Sequence, residues 1–328
     1  MKKYLFIALA AAAMTSCSQD EVMEMNQEAI SFGGAFVENS TRAAADNTYG
    51  PKKAIPSFTL YGTVEGVNIY NNVTVTNPKA NDENQEAGYN QVWECPVTQY
   101  WVAGADYEFA AVVGATTINV DQTTKMPTSL EYTAANQTDM LYQKVKTVGQ
   151  PTTNGGLVAF TFNHLLAKAK FTVTNITDHT KVQEETAYTY DITDLQITNA
   201  YEKATYDVTN GWQITESTPV KPTNFGSISN LVAGDTNKQE CATEMLLIPG
   251  LTKVQVSFKY SIKINNIEIY KTTTPVTKEA TVAGGITANC AYNFNLSVGL
   301  NTPIEFTVTK APEWVTPVKD VTVPEQKQ

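Results

Sequence analysis

The sequence predicts an all-β fold. Threonine, valine, isoleucine, tyrosine and phenylalanine dominate long stretches of it, and these are the residues that strands favour. In many segments apolar positions alternate with polar ones, which is the period of a half-buried strand. Short clusters of Asn, Gly and Pro separate the segments and mark turns. Together these observations favour two β-sandwiches in tandem.

The first residues predict export. Two lysines precede a short apolar run over residues 4–14, and small residues close it. This is the pattern of a cleavable signal peptide over residues 1–16, too short to span a bilayer. Cys17 follows at once, and acylation of its thiol would leave a lipid-bearing N-terminus. Ordinary cleavage beside an unmodified Cys17 is the alternative.

An early strand follows the export segment. The residues Ile30, Phe32, Gly34 and Phe36 alternate and would share one strand face. Gly33 and Gly34 permit a bend or a β-bulge.

The best linker candidate is the segment 149–156, GQPTTNGG, since Pro and Gly interrupt regular pairing. It predicts a domain over residues 43–150 and a second one over residues 151–328, which includes a C-terminal tail. The polar run 81–88 is interpreted as an exposed loop.

One segment combines helix-forming residues with strand periodicity. The stretch from His164 to Lys170 is rich in Leu, Ala and Lys, which favour helix. Its alternation extends over ten residues and outweighs that propensity, so we predict a strand. The apolar face comprises Leu165, Ala167, Ala169, Phe171 and Val173.

Turn residues predict two hairpins and a closing pair of strands. Asn265 and Asn266 lie between a long alternating strand, residues 254–264, and its return, and Asn tolerates the positive φ of a two-residue turn. Asn210 and Gly211 mark the second hairpin. The segments 292–298 and 304–308 form the closing pair.

Charge and cysteine content exclude some functions. The net charge is −10 and no basic cluster occurs, so a nucleic-acid partner is not expected. With Cys17 acylated, three cysteines remain, an odd number, so disulfides are not the framework. Free thiols at Cys95, Cys241 and Cys290 are favoured, and a Cys241–Cys290 bridge is the alternative.

The sequence gives little support for catalysis. Its two histidines, His164 and His179, lie in no nucleophile or metal motif. The adjacent Glu184 and Glu185 would point to opposite faces of a strand. We therefore predict neither an enzyme nor a metal or other cofactor.

A glycan-binding surface protein is the alternative function. Trp93, Tyr100 and Trp101 could form an aromatic platform for sugar rings, although core packing explains the two tryptophans equally well.

Several blocks resemble those of the fimbrillins, pilus subunits of oral and gut anaerobes. Residues 160–171, FTFNHLLAKAKF, resemble a recurring block of that family, and the closing strands followed by Trp314 resemble its C-terminal signature. The segment 39–44, NSTRAA, resembles the site where an arginine-specific protease cuts these proteins. Residues 18–21 resemble an acidic signal for lipoprotein export to the cell surface.

This resemblance implies a fold of two transthyretin-like sandwiches. It also implies that the chain is exported, lipidated and then cleaved. The chain would be an outer-membrane lipoprotein carrying palmitate or a similar acyl group at Cys17. Cleavage between Arg42 and Ala43 would remove the propeptide 17–42 with its early strand. Losing three large apolar side chains costs on the order of 5–9 kcal/mol, comparable to the stability of a whole domain.

The resemblance also implies assembly with other fimbrial subunits on the cell surface, in support of adhesion or biofilm formation. The vacated groove would accept a strand from a neighbouring subunit, a recognised mode of peptide binding. Which segment donates stays open. The candidate tail offers Val315, Val318, Val321 and Val323. Two prolines in the tail limit ladder pairing, and a disordered terminus is the alternative.

Overall fold

Strand pairing accounts for nearly all regular structure in this protein. The computed structural model describes residues 28–37, 55–78, 92–177, 188–232, 238–300 and 302–311. In these ranges there are twenty strands and two short 3-10 turns, at Ala134–Asn136 and Asn154–Gly156, and no α-helix. The prediction of an all-β fold is therefore confirmed. No helix within the same ranges is long and apolar enough to cross a membrane.

The strands are numbered in chain order. The first ten are β1 Phe32–Val37, β2 Ser57–Val64, β3 Val67–Thr76, β4 Asp106–Val113, β5 Thr117–Val120, β6 Pro127–Thr133, β7 Leu141–Val148, β8 Val158–His164, β9 Ala167–Asn175 and β10 Tyr188–Ile197. The others are β11 Lys203–Asp207, β12 Gly211–Gln213, β13 Thr223–Val232, β14 Lys238–Glu240, β15 Met245–Leu247, β16 Lys253–Ile264, β17 Ile267–Lys271, β18 Val276–Thr281, β19 Cys290–Val298 and β20 Glu305–Lys310.

One sheet has six strands, and its two outer strands are joined by a further segment of the chain. Its strand order is β1-β8-β7-β4-β2-β3, and a short segment joins the two outer strands. In this segment Val92 bridges Gly33 of β1, and Glu94 bridges Thr76 of β3. These bridges join the two outer strands to the segment at single positions, and the interior is filled by one cluster of buried side chains, half of them aromatic. We call this unit the barrel.

Strand β4 is buried on both faces. Phe109 and Ala111 face the barrel interior, whereas Ala110 and Val112 belong to a second apolar cluster outside it. A four-stranded sheet, β12-β11-β6-β5, contributes Leu130 and other residues to that outer cluster. A strand covered on both sides needs a continuous apolar run, which explains the sequence FAAVV.

The remaining strands form a sandwich around the largest core. One sheet has the order β13-β10-β16-β17, with β18 also paired to β16, and the other has β14-β9-β19-β20, with β15 also paired to β9. Both predicted hairpins are confirmed. Asn265 and Asn266 have φ of 49° and 68° between β16 and β17, and Asp207 pairs with Gly211 at the turn between β11 and β12.

The segment predicted as a strand despite its helix formers is extended. Strand β8 ends at His164, two residues bend, and β9 begins at Ala167. Lys168 on β9 is buried and forms an ion pair of 2.6 Å with Glu244. A buried lysine is tolerated on β9, which is packed on both faces, because a carboxylate neutralises its charge.

Strand pairing crosses the predicted linker. β8 follows segment 149–156 but pairs with β7 in the barrel sheet, and β11 pairs with β6 in the outer sheet. The division into domains 43–150 and 151–328, with a transthyretin-like tandem arrangement, stays a prediction.

The three cysteines in the described ranges are free thiols, as favoured from the sequence. Burial raises the pKa of Cys241 to about 11, so at pH 8 only about one molecule in a thousand carries the reactive thiolate there. We expect maleimide labelling at pH 8, mapped by peptide mass spectrometry, to modify Cys241 more slowly than Cys95 and Cys290. Labelling in urea is the control, and equal rates in the folded protein would contradict the prediction.

Candidate functional site

The structure describes one of the four regions predicted to carry function. Residues Ile30, Phe32, Gly34 and Phe36 of the proposed removable strand lie in or beside β1. The lipidation, processing and candidate donor positions lie outside the described residues: Cys17, Arg42, Ala43, Val315, Val318, Val321 and Val323. The candidate site is therefore built around β1.

The backbone of the early strand is paired on both of its sides around Phe32. On one side β1 runs parallel to β8, with Phe32 opposite Val158. On the other side it meets residues 92–101: Trp93 N donates to Phe32 O at 2.8 Å, and Ile30 N donates to Gln99 O at 2.7 Å. The early strand thus fills a gap between β8 and segment 92–101. We call this gap the slot.

A register shift interrupts the pairing with β8. Gly33 lies opposite Ala159 and Phe36 opposite Thr161, so β1 uses one more residue than its partner over this step. This is the geometry of a β-bulge, as predicted from Gly33 and Gly34. The bulge lets the strand bend as it follows the curved sheet.

Phe32 anchors the strand in the barrel interior. Its side chain is 0% exposed, and its ring centroid lies 5.5 Å from that of Tyr70 and 5.7 Å from that of Phe109, both edge to face. It also stacks on Phe160 of β8 at 6.4 Å. These are favourable aromatic geometries, so the slot has a shaped apolar pocket for one large ring.

A glycine makes room for these rings. A Cβ atom on Gly62 of β2 would lie 2.9 Å from atoms of both Tyr70 and Phe109. Burial raises the pKa of Tyr70 above its usual range, so the phenol stays neutral at physiological pH. The lining next to Phe32 is therefore apolar and uncharged.

The two tryptophans form part of the slot rather than a sugar-binding platform. Trp93 and Trp101 are 5% and 6% exposed and belong to the barrel core. Of the three aromatic residues proposed for glycan binding, Tyr100 alone is exposed. The role of segment 92–101 as the second wall of the slot was not predicted from the sequence. The shared strand parity of Trp93 and Trp101 was the available signal.

His164, the histidine within the described residues, lies in the interior. Its Nδ1 is 2.8 Å from Asp139, and both side chains are almost completely buried. The pair joins the start of β7 to the end of β8, which fits the structural role favoured from the sequence. In the described part of the chain, no three His, Cys, Asp or Glu side chains are grouped closely enough to hold a metal ion.

Comparison with known families identifies the chain. A family model described as fimbrillin-like matches residues 41–312. The chain belongs to the fimbrillin-like family. The resemblance to the fimbrillins found in the sequence is thereby confirmed. A comparison with functionally curated proteins finds no match.

Solved structures share the fold of this fimbrillin-like chain. A fimbrial protein from Bacteroides vulgatus has 15% sequence identity, with 87% of this chain and 99% of that chain covered, at a TM-score of 0.56. A candidate cell adhesion protein from Parabacteroides distasonis has 10% identity, with coverages of 90% and 98%, at a TM-score of 0.52. At such identities the likeness shows the fold alone.

Proposed function

We propose that this fimbrillin-like chain is a structural subunit of a cell-surface fimbrium, assembled by exchange of the strand in the slot. The supporting observation is β1 itself. It contributes the fully buried Phe32 to the barrel core and pairs on both sides, yet it precedes Arg42 in the sequence. One cut after Arg42 would separate this strand from the rest of the chain.

The precursor and the mature subunit would then differ in one physical respect. In the precursor, β1 satisfies the backbone groups of β8 and segment 92–101. Once it leaves, those backbone groups lose their hydrogen-bond partners in the protein, and the apolar pocket of Phe32 is exposed to water. Both changes raise the free energy of the subunit. A strand from a neighbouring subunit removes that cost, and the tail with Val315, Val318, Val321 and Val323 is the candidate donor.

Export completes the proposal. Acylation of Cys17 holds the precursor in the outer membrane, and an arginine-specific protease releases it at the cell surface. The mature chain begins at Ala43, assembles with other fimbrial subunits and supports adhesion or biofilm formation. The mechanism uses no cofactor and involves no nucleic acid.

Arg42 allows a clean test, because it is the only arginine in the sequence. We expect an arginine-specific protease to cut the folded precursor once, giving a product whose Edman sequence begins at Ala43. The cut protein should form ladders on gels that resist SDS. An Arg42→Lys precursor keeps the charge but loses the cleavage site, so it should stay monomeric.

Two results would contradict this proposal. A precursor that is cut at Arg42 but stays monomeric would reject strand exchange, and mature protein from cells that keeps Cys17 would indicate an uncut anchor subunit. The alternative, a glycan-binding lipoprotein, predicts an unpolymerised protein retained on polysaccharide gels. The burial of Trp93 and Trp101 disfavours it.

A further inference from the structure

The early strand shows what the slot requires of any strand that occupies it. Ile30 and Phe32 lie two positions apart and are both buried, at 5% and 0% exposure. Ala29, just before them, is exposed, and Ser31, between them, is half-buried. Because successive side chains of a strand point to opposite faces, the slot takes two apolar side chains at alternate positions and leaves their neighbours toward the surface.

The backbone of the slot adds a second requirement. Ile30 N donates to Gln99 O at 2.7 Å, so the residue in the first apolar position needs an N–H group, which proline lacks. Phe32, in the second position, accepts from Trp93 N through its carbonyl oxygen, which every residue carries. The register with β8 then shifts after Gly33. Regular pairing is therefore needed only up to this bulge.

One stretch of the candidate donor tail meets both requirements. The sequence after Ala311 contains five large apolar residues: Trp314, Val315, Val318, Val321 and Val323. Of these, only Val321 and Val323 lie two positions apart, and Val321 carries the N–H group that the first position needs. Pro324 follows directly, at the position of Gly33. Proline ends regular ladder pairing, so the donor's pairing would stop where that of the early strand is interrupted.

We propose that Val321 and Val323 of one copy of this chain enter the slot of the next copy, in the positions of Ile30 and Phe32, with the donor strand parallel to β8. This inference rests on the proposed function and names the part of the tail that strand exchange uses. Val321 lies ten positions after Ala311, so the intervening residues supply up to about 33 Å of extended chain for the crossing.

The polar residues around the two valines fit the same alignment. Asp320 falls on the exposed position of Ala29, and Thr322 falls on the half-buried position of Ser31, where one hydroxyl residue replaces another. A shift of one residue would instead bring the charged Asp320 into the buried position of Ile30. Burying an unpaired carboxylate is costly, so the alternation of the tail specifies its register in the slot.

The second valine fills its pocket only in part. The pocket of Phe32 is lined by the rings of Tyr70, Phe109 and Phe160, and valine is smaller than phenylalanine. Val323→Phe should fill the pocket as Phe32 does, so the ladders of this variant should survive heating in SDS at least about tenfold longer than those of the unsubstituted protein. An equal or shorter lifetime would contradict the placement of Val323.

Serine substitutions test the two positions by loss. Val321→Ser and Val323→Ser precursors, cut with the arginine-specific protease, should each give at least about tenfold fewer SDS-resistant ladders than the unsubstituted protein. Val220→Ser, at an exposed valine outside the slot, is the matched control and should leave the ladders unchanged. The uncut variants should be as stable to urea as the unsubstituted precursor, because β1 still fills the slot.

A disulfide tests the register and the direction of the donor. Ala29 and Tyr100 are exposed and lie opposite each other in an antiparallel bridge, a pairing that brings Cα atoms close enough for a disulfide. Asp320→Cys and Tyr100→Cys precursors are therefore mixed, cut and mildly oxidised. Peptide mass spectrometry should find the disulfide between the two introduced cysteines at least about tenfold above that from a Thr322→Cys and Tyr100→Cys mixture. The unsubstituted chain gives the background from the native thiols.

The outcomes separate this inference from the proposed function. Ladders that form without the disulfide, or that survive Val323→Ser unchanged, would overturn the proposed register and leave strand exchange standing. A donor strand in the reverse direction would place position 320 beside Val92 instead of Tyr100, so it would also form ladders without the disulfide. Cut, unsubstituted protein that forms no ladders would reject strand exchange itself.

Discussion

Replacing Phe32 by alanine in the full-length chain is expected to lower the free energy of unfolding by about 3–5 kcal/mol. The side chain is fully buried among Tyr70, Phe109 and Phe160, so its loss leaves a cavity in a packed aromatic cluster. Urea denaturation followed by tryptophan fluorescence measures the effect, because Trp93 and Trp101 belong to the same cluster. Tyr100→Ala, at an exposed side chain beside the same strand, should change stability by less than about 0.5 kcal/mol.

Cleavage turns this substitution into a test of strand removal. If the segment that ends at Arg42 leaves the barrel, Phe32 leaves with it. The mature forms of the Phe32→Ala protein and the unsubstituted protein should then have the same stability, although their precursors differ. An undiminished difference after cleavage would mean that β1 stays in the slot, and strand exchange would have to be abandoned.

Local sequence pattern predicted the strands and their turns well. The alternation of residues 254–264 and the following Asn pair specify β16, its turn and β17, because strand period and positive φ are both local properties. Alternation likewise identified β9 against its helix propensity. The burial of Lys168 is not local: it depends on Glu244, 76 positions further along the chain.

The slot could be predicted only in part. The alternation of Ile30 and Phe32 indicated a strand with a buried face, and Gly33 and Gly34 indicated its bulge. Its partners did not follow from the pattern, because a parallel pairing with β8 joins residues more than 120 positions apart. Segment 92–101 pairs through isolated bridges, so it carries no sustained alternation.

In this fold, an interruption between two strands does not mark the end of a sheet. Segment 149–156 interrupts the strands, as its Gly and Pro residues require. The sheet continues across it, because β8 returns to β7 and the barrel interior needs Phe160 and Phe162. Which sheet a β-strand joins depends on the apolar face that it must bury. The turn residues on either side of the strand do not reveal this.

Pairing on two sides gives the slot its chemical character. A strand at an open edge would have one paired side and could be lost at little cost. The early strand has two paired sides and an anchoring ring, so its absence opens hydrogen-bonding groups on both walls. In the proposed strand exchange, these open groups are what a strand from a neighbouring subunit would pair with.

Replacing Gly114 by alanine is expected to lower the free energy of unfolding by more than about 4 kcal/mol, an exceptional cost for one added methyl group. Gly114 follows β4 with φ of +73°, and a Cβ atom there would lie 2.0 Å from the carbonyl oxygen of Asp139. That oxygen belongs to the backbone just before β7, and the Asp139 side chain holds His164 at the end of β8. Movement of Asp139 to relieve the clash would shift the start of β7 and, through His164, the end of β8, which is one wall of the slot.

Gly104 provides the matched control. It has nearly the same backbone conformation, φ of +72°, but a Cβ atom there meets nothing within 4 Å. Gly104→Ala should cost only the left-handed strain of about 1–2 kcal/mol, so the difference between the two variants isolates the steric contact. Urea denaturation of both variants measures that difference, and equal midpoints would show that the loop at Gly114 yields freely. In that case the His164–Asp139 pair would not depend on the close approach of Gly114.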